Sequence, residues 1–168
     1  MTNNNINQKS ILITGCSGFV GSSLLDQIEG YNILGLDKKI KLNKKYLIDL
    51  SSNDAPQKLI SLFLKEKIHY VIHLAASKQD YGISTNEYYK NNVIATNNLL
   101  EFLRTKKIIY FLHISSVAIF EGEKINSNSI NLNSDQSYQL TKSLQEKAIV
   151  NFCKLENIKC CILYPSAI

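Results

Sequence analysis

The stretch Ile11-Leu12-Ile13-Thr14-Gly15-Cys16-Ser17-Gly18-Phe19-Val20-Gly21 decides the fold: a short β-branched run, three glycines in a TGxxGxxG spacing, then the start of a helical period. In a strand, turn and helix of this kind, Gly15 permits the tight turn and Gly18 lets the backbone approach an anion such as a pyrophosphate. Gly21 then allows close helix-to-strand packing. The helix N-terminus presents free amides and a positive dipole end to that anion. The next apolar run ends in Asp37, about twenty residues on, where a carboxylate accepts hydrogen bonds from the two hydroxyls of a ribose.

Outward from this unit, short apolar runs alternate with longer segments of helical period, the pattern of parallel strands joined by crossover helices. The runs are Ile11 to Thr14, Asn32 to Leu36, Tyr46 to Ile48, Tyr70 to Leu74, Ile108 to Ile114 and Lys159 to Leu163. They predict about six strands, each buried on both faces. Helices are predicted at Phe19 to Ile28, Ala55 to Lys67, Thr85 to Lys106 and Tyr138 to Glu156. Asp54 and Pro56 stand where a cap and a first-turn proline belong, and Ser84-x-x-Glu87 has the form of a capping box. The segment Glu121 to Gln136 is rich in Asn and Ser, lacks a period, and reads as a surface loop near the mouth of the site.

With 168 residues and 45% hydrophobic side chains, the chain suits one α/β domain over residues 10–168 behind a polar leader at 1–9. That leader lacks the apolar core of a secretory signal, and no segment approaches a membrane span. The four cysteines and three histidines show no metal-ligand spacing. A cytoplasmic protein with reduced thiols and no metal is therefore expected. The net charge of +5 is spread along the chain. Its one local cluster, Lys38, Lys39, Lys41, Lys44 and Lys45, reads as a solvated loop, so neither nucleic acid nor membrane is an expected partner.

Tyr138 and Lys142 form a YxxxK pair whose i,i+4 spacing puts both side chains on one helical face. A neighbouring ammonium favours phenolate, which would lower the tyrosine pKa and suit it to acid–base work near neutrality. The fifth run leads into Ser115-Ser116, placing hydroxyls at the carboxyl edge of a parallel sheet, where ligands bind. An acid at Asp37 repels a 2′-phosphate and favours NAD over NADP, although Lys38 and Lys39 partly offset that repulsion. His73 sits within a strand and reads as structural; His69 and His113 read as surface or packing residues.

The ordered set TGxxGFxG, Asp37, Asp49-Leu50, His73-Leu74-Ala75-Ala76, Asn92-Val93-x-x-Thr96, Ser115-Ser116, Tyr138-x-x-x-Lys142 and Tyr164-Pro165 resembles the extended short-chain dehydrogenase/reductase family, of the NAD-dependent epimerase/dehydratase type. The resemblance runs from about Ile11 to Ile168. It implies a doubly wound Rossmann sheet with helices on both faces, an NAD cofactor and a nucleotide-sugar substrate. Ser116, Tyr138 and Lys142 are its implied catalytic residues, Ser116 rather than Ser115 because of its distance from the family's aromatic position, here Phe120. Its implied cofactor contacts are Gly15, Ser17, Gly18, Phe19, Val20, Gly21, Asp37, Asp49, Leu50, Leu74, Ala75, Ala76, Asn92, Ile114, Tyr138, Lys142, Tyr164 and Pro165.

In relatives the helices corresponding to 85–106 and 138–156 pair two copies, which implies a homodimer. Val93, Leu100, Leu144 and Ile149 either line that interface or face the sheet. Phe120 and Tyr164 depart from the family's usual tyrosine and arginine. Val117 and Ala118 follow the serine where dehydratases carry acids, which favours an epimerase or a simple dehydrogenase. The resemblance also implies a substrate domain largely absent from the sequence. The expected function is hydride transfer at a sugar hydroxyl carbon, with a truncated form, a non-catalytic dinucleotide-binding module, or a subunit needing a partner chain as the alternatives.

Overall fold

The apolar run ahead of the glycine loop forms a central strand of a six-stranded sheet. In the computed structural model, which describes residues 8–39, 45–78, 82–122 and 133–166, β1 (Ser10–Thr14) is buried at every position. It pairs in parallel with β2 (Asn32–Asp37) on one side and β4 (Tyr70–His73) on the other. β3 (Lys45–Leu47) lies outside β2, while β5 (Tyr110–Ile114) and β6 (Lys159–Leu163) continue beyond β4. The order is β3-β2-β1-β4-β5-β6, the doubly wound Rossmann arrangement. Its direction of growth reverses between β1 and β4, and a crevice opens there at the carboxyl ends of the strands.

Parallel strands need crossovers, and the helices provide them. They are α1 (Phe19–Gln27), α2 (Ala55–Leu62), α3 (Thr85–Tyr88), α4 (Ala95–Leu103), α5 (Ile119–Gly122) and α6 (Ser134–Leu155), with a π-helical stretch Tyr89–Ile94 between α3 and α4. Strand alternation divides the core. Ile11 and Ile13 face one way, with Leu25, Ile33 and Ile72 packed around them. Leu12, Leu36, Val71 and Phe111 face Leu59, Leu99, Phe102 and Ile149 of α2, α4 and α6.

The second helix stops at Leu62 rather than Lys67, because Phe63 leaves helical geometry and its ring turns into the core, edge-on to Tyr46 at 4.9 Å. Asp54 does not cap that helix through its side chain; the carboxylate pairs with Lys58 and accepts from the Ser52 hydroxyl. The helix expected at Tyr138 starts at Ser134, with a capping box between Asn133 and Gln136. Both ends of the expected 121–136 loop are therefore helical, and its residues 123–132 lie outside the described ones.

The 85–106 helix is interrupted by the π stretch, and Ser84 accepts from the Glu87 amide, which is one half of the expected capping box. Burial on both faces fails at β5 and β6: Tyr110 and Leu163 are exposed, since β6 is the sheet's edge and α6 covers one face only. Of the apolar residues considered for an interface between copies, Leu100 and Ile149 belong to the core. No described helix is long and apolar enough to cross a membrane.

Candidate active site

At the crevice the glycine loop is held by its backbone. Gly15 adopts φ +70°, and a Cβ there would lie 2.8 Å from the Ala75 nitrogen. A Cβ on Gly21 would overlap the Gly15 carbonyl oxygen and the Cys16 backbone, so helix α1 can approach its own loop only with glycine there. A Cβ on Gly18 would meet only the Gly15 oxygen, at 3.2 Å. The Gly15 and Cys16 amides donate to the Leu36 carbonyl at 2.9 and 3.3 Å, which ties the loop to β2.

Gly18 caps α1 without a side-chain bond, leaving first-turn amides for water or a ligand. The Ser17 hydroxyl is buried and has no partner among the described residues. A buried orphan hydroxyl beside free amides, in a cradle that side chains would fill, fits an oxygen-rich anion such as the pyrophosphate of NAD.

Two adjoining cavities share Gly15, Gly18, Leu74, Ala76 and Ser77. The first, about 290 Å3, is also lined by Ser17, Asp37, Lys38, Asp49, Leu50, Ala75 and Asn91. Asp37 accepts from the Ser17 and Lys39 amides, both at 2.9 Å, and Lys38 donates to Asn91 at 3.2 Å. Asp49 accepts from the amide and hydroxyl of Ser51. Those bonds favour its ionised form against the burial that opposes it, and its pKa is lowered.

The second cavity, about 610 Å3, runs from Phe19, Val20 and Gly21 to Ile114, Ser116, Tyr138, Lys142 and Pro165. Ser115 also touches it, but its hydroxyl donates to Glu146 at 2.7 Å, whereas Ser116 hydrogen-bonds Tyr138 and accepts from the Ala118 amide. Tyr138 does not have the lowered pKa expected from the sequence. Burial raises it, and the Ser116 hydrogen bond only partly opposes that effect. The physical reason is where the lysine bonds: Lys142 donates to the Ile114 carbonyl at 3.1 Å and to the Gln145 amide oxygen at 2.7 Å. Lys142 is 2% exposed. Burial brings its pKa down to about 7, against the pull of Glu146.

Two implied cofactor residues line neither cavity. Asn92 is fully buried; its side chain accepts from the Ser77 amide at 2.7 Å and donates to Thr141 at 3.1 Å. It braces the cleft wall, while its neighbour Asn91 lines the cleft. Tyr164 donates to Glu146 at 2.8 Å and packs on Phe120, with ring centroids 5.2 Å apart. The two family departures thus contact each other.

His73 is fully buried, bonded to Thr14 at 2.6 Å and Thr96 at 3.0 Å, with its pKa brought down by burial to about 3. His113 stacks on it at 5.4 Å and bonds the His73 carbonyl at 3.1 Å. Both are packing histidines. Ser77, Asn91 and Gln145 were not singled out from the sequence. The π stretch turns Asn91 and Asn92 inward and has no local sequence signal, and Gln145 is one helical turn beyond Lys142.

Residues 11–168 match the family described as NAD dependent epimerase/dehydratase. The chain is 32% identical over 164 residues to the dTDP-D-glucose 4,6-dehydratase of Dictyostelium discoideum, covering 85% of this chain and 36% of that protein. It is 26% identical over 177 residues to a UDP-glucose 4-epimerase of Drosophila melanogaster, covering 86% of this chain and 49% of that one. Among solved structures, the UDP-Glc/GlcNAc 4-epimerase from Campylobacter jejuni superposes with a TM-score of 0.75 at 26% identity, covering 93% of this chain and 53% of that one. The chain thus spans half or less of the length of these curated relatives.

Proposed function

We propose, from the premise that this chain belongs to the NAD dependent epimerase/dehydratase family, that residues 10–168 form an NAD-binding domain whose catalytic residues carry hydride transfer at a hydroxyl carbon of a nucleotide sugar. The single observation that carries this reading is the second cavity, which joins the phosphate cradle at Gly18 to Ser116, Tyr138 and Lys142 in one space.

In this reading Gly15, Ser17, Gly18, Phe19, Val20 and Gly21 hold the pyrophosphate. Asp37 holds the adenosine ribose, Asp49 and Leu50 flank the adenine, and Leu74, Ala75, Ala76, Ile114 and Pro165 form the floor and wall. When bound, NAD supplies a hydride acceptor. Tyr138 takes the proton from the substrate hydroxyl, Ser116 donates a hydrogen bond to the same oxygen, and Lys142 holds the nicotinamide ribose. Asn92 and Tyr164 act from behind these residues through Ser77, Thr141 and Glu146. Two bonds from Asp37 to backbone amides, and the engagement of Lys38 by Asn91, support NAD rather than NADP.

The substrate class rests on the relatives, named as acting on dTDP-D-glucose and UDP-glucose. Val117 and Ala118 after Ser116 favour epimerase or dehydrogenase chemistry over dehydration. The spacing of the four cysteines, which forms no CxxC pair, supports a reducing, cytoplasmic setting. A homodimer through residues 85–106 and 138–156 would use outward faces carrying Tyr89 and Val150, because Leu100 and Ile149 already serve the core.

The test is calorimetric titration with NADH, followed by a turnover assay with UDP-glucose. Binding and turnover that Tyr138→Phe abolishes, with binding kept, support the enzyme. Binding without turnover identifies a dinucleotide-binding module, and absence of binding removes the reading.

A further inference from the structure

Behind Lys142 lies a buried polar cluster that the hydride chemistry does not use. Gln145 is fully buried and lines neither cavity. Its amide nitrogen is 3.1 Å from the Ala75 carbonyl, 2.9 Å from Thr96 Oγ1 and 3.0 Å from His73 Nε2, and its oxygen is 2.7 Å from Lys142 Nζ. The orientation of that amide follows from chemistry. A carbonyl only accepts, so the nitrogen belongs toward Ala75, and the oxygen is left to face the one strong donor, Lys142.

A donor-only amide nitrogen 3.0 Å from His73 Nε2, with the Thr96 hydroxyl also at 3.0 Å, makes Nε2 the acceptor, so the imidazole proton sits on Nδ1 and is donated to Thr14 Oγ1. Thr14 Oγ1 in turn accepts from the Ala75 amide at 3.2 Å. The backbone of Ala75, which lines the cleft, is therefore gripped at both ends, its N–H by Thr14 and its C=O by Gln145.

We infer that Gln145 is a positioning residue: one buried amide sets both the direction of Lys142, against the Ile114 carbonyl, and the height of the Ala75 floor beneath the cofactor. The inference rests on the reading of the cleft as an NAD site. A neutral amide is suited to this task. It gives the ammonium an oxygen acceptor without supplying a countercharge, while Thr96, His73 and Thr14 anchor it to α4, β4 and β1. The titratable groups facing Lys142 are Glu146 on the next turn of α6, Tyr138 on the preceding one, and His73 and His113 on β4 and β5.

The test compares Gln145→Met, which keeps length but loses both polar ends, with Gln145→Glu, which places a charge beside Lys142. The lysine ε-carbon titration is followed by NMR in the free protein, with the Lys142 signal identified by its absence in Lys142→Met. Gln145→Met is expected to move the Lys142 midpoint down by about one pH unit or more, and Gln145→Glu to move it up. Gln145→Met also weakens NADH binding by about tenfold or more, with partial recovery in Gln145→Glu.

A Lys142 midpoint in Gln145→Met equal to that of the native protein overturns the inference. If Gln145→Met does not fold, an unmoved midpoint in Gln145→Glu does the same. Native protein that binds no NADH overturns the proposed function instead, while the titration still decides the role of Gln145.

Discussion

The Ser17 amide donates to the Asp37 carboxylate at 2.9 Å across twenty residues of sequence, so the glycine loop and the tip of β2 are one unit. Asp37 Oδ1 is held by the Lys39 amide, which fixes the plane of the carboxylate while leaving lone pairs toward the cleft. Asp37→Ala removes a charged acceptor and a loop anchor together. NADH affinity is expected to fall about tenfold or more, with Asp37→Asn in between. Calorimetry that finds equal affinities would remove Asp37 from the site.

Two glycines separate crowding from backbone conformation. Gly21→Ala forces Cβ against the Gly15 oxygen and the Cys16 backbone, neither of which can yield without moving the loop, and costs about 3 kcal/mol. Gly30 has φ +78° and open space around it, so Gly30→Ala costs about 1 kcal/mol through conformation alone. Urea unfolding of both variants should rank them in that order, and NADH binding should suffer only in Gly21→Ala.

The buried Lys142 makes stability depend on pH in an identifiable window. Its folded pKa, about 7, lies below the ordinary 10.5. Between those values the unfolded chain holds the extra proton, so stability rises with pH. The contribution is roughly 1.4 kcal/mol per pH unit. The difference in unfolding free energy between native protein and Lys142→Met should therefore change with this sign from pH 7 to 9, by urea titration at each pH. A constant difference would show that Lys142 is not desolvated.

The buried histidines act at the acid end. His73 is brought to about 3 and His113 well below 6.5, both chiefly by burial. As pH falls below 6.5 the unfolded chain takes up protons that the folded one refuses, so stability is lost. His113→Phe keeps a ring stacked on His73 and removes one of these groups. Its stability should fall less steeply from pH 6 to pH 4, by roughly 1.4 kcal/mol per pH unit. Parallel slopes would mean that His113 is solvated.

Much of this architecture was legible because its causes are local. TGxxGxxG, the acid at Asp37 and the YxxxK spacing each act within a turn or a single helical face, and every expected strand is present within a residue or two. The caps were harder to read. Asp54 has the right chemistry at the right place, yet its carboxylate pairs with Lys58 instead. Asn133 caps a helix that starts four residues before Tyr138, because the polar residues of its first turn leave no apolar period to read.

What the sequence by itself determined is the parallel alternation of strands and helices, the glycine cradle, and the appearance of Ser116, Tyr138 and Lys142 at one edge of the sheet. Short-range sterics and side-chain period suffice for these. Only the tertiary structure decided that Ser115 turns to Glu146, that Lys142 bonds Ile114 and Gln145, that a π stretch brings Asn91 and Asn92 inward, and that Leu100 and Ile149 serve the core. Each of these outcomes depends on partners brought together by packing, and a buried polar group takes whichever partner the fold puts within reach, because leaving it unpaired costs more than any local preference.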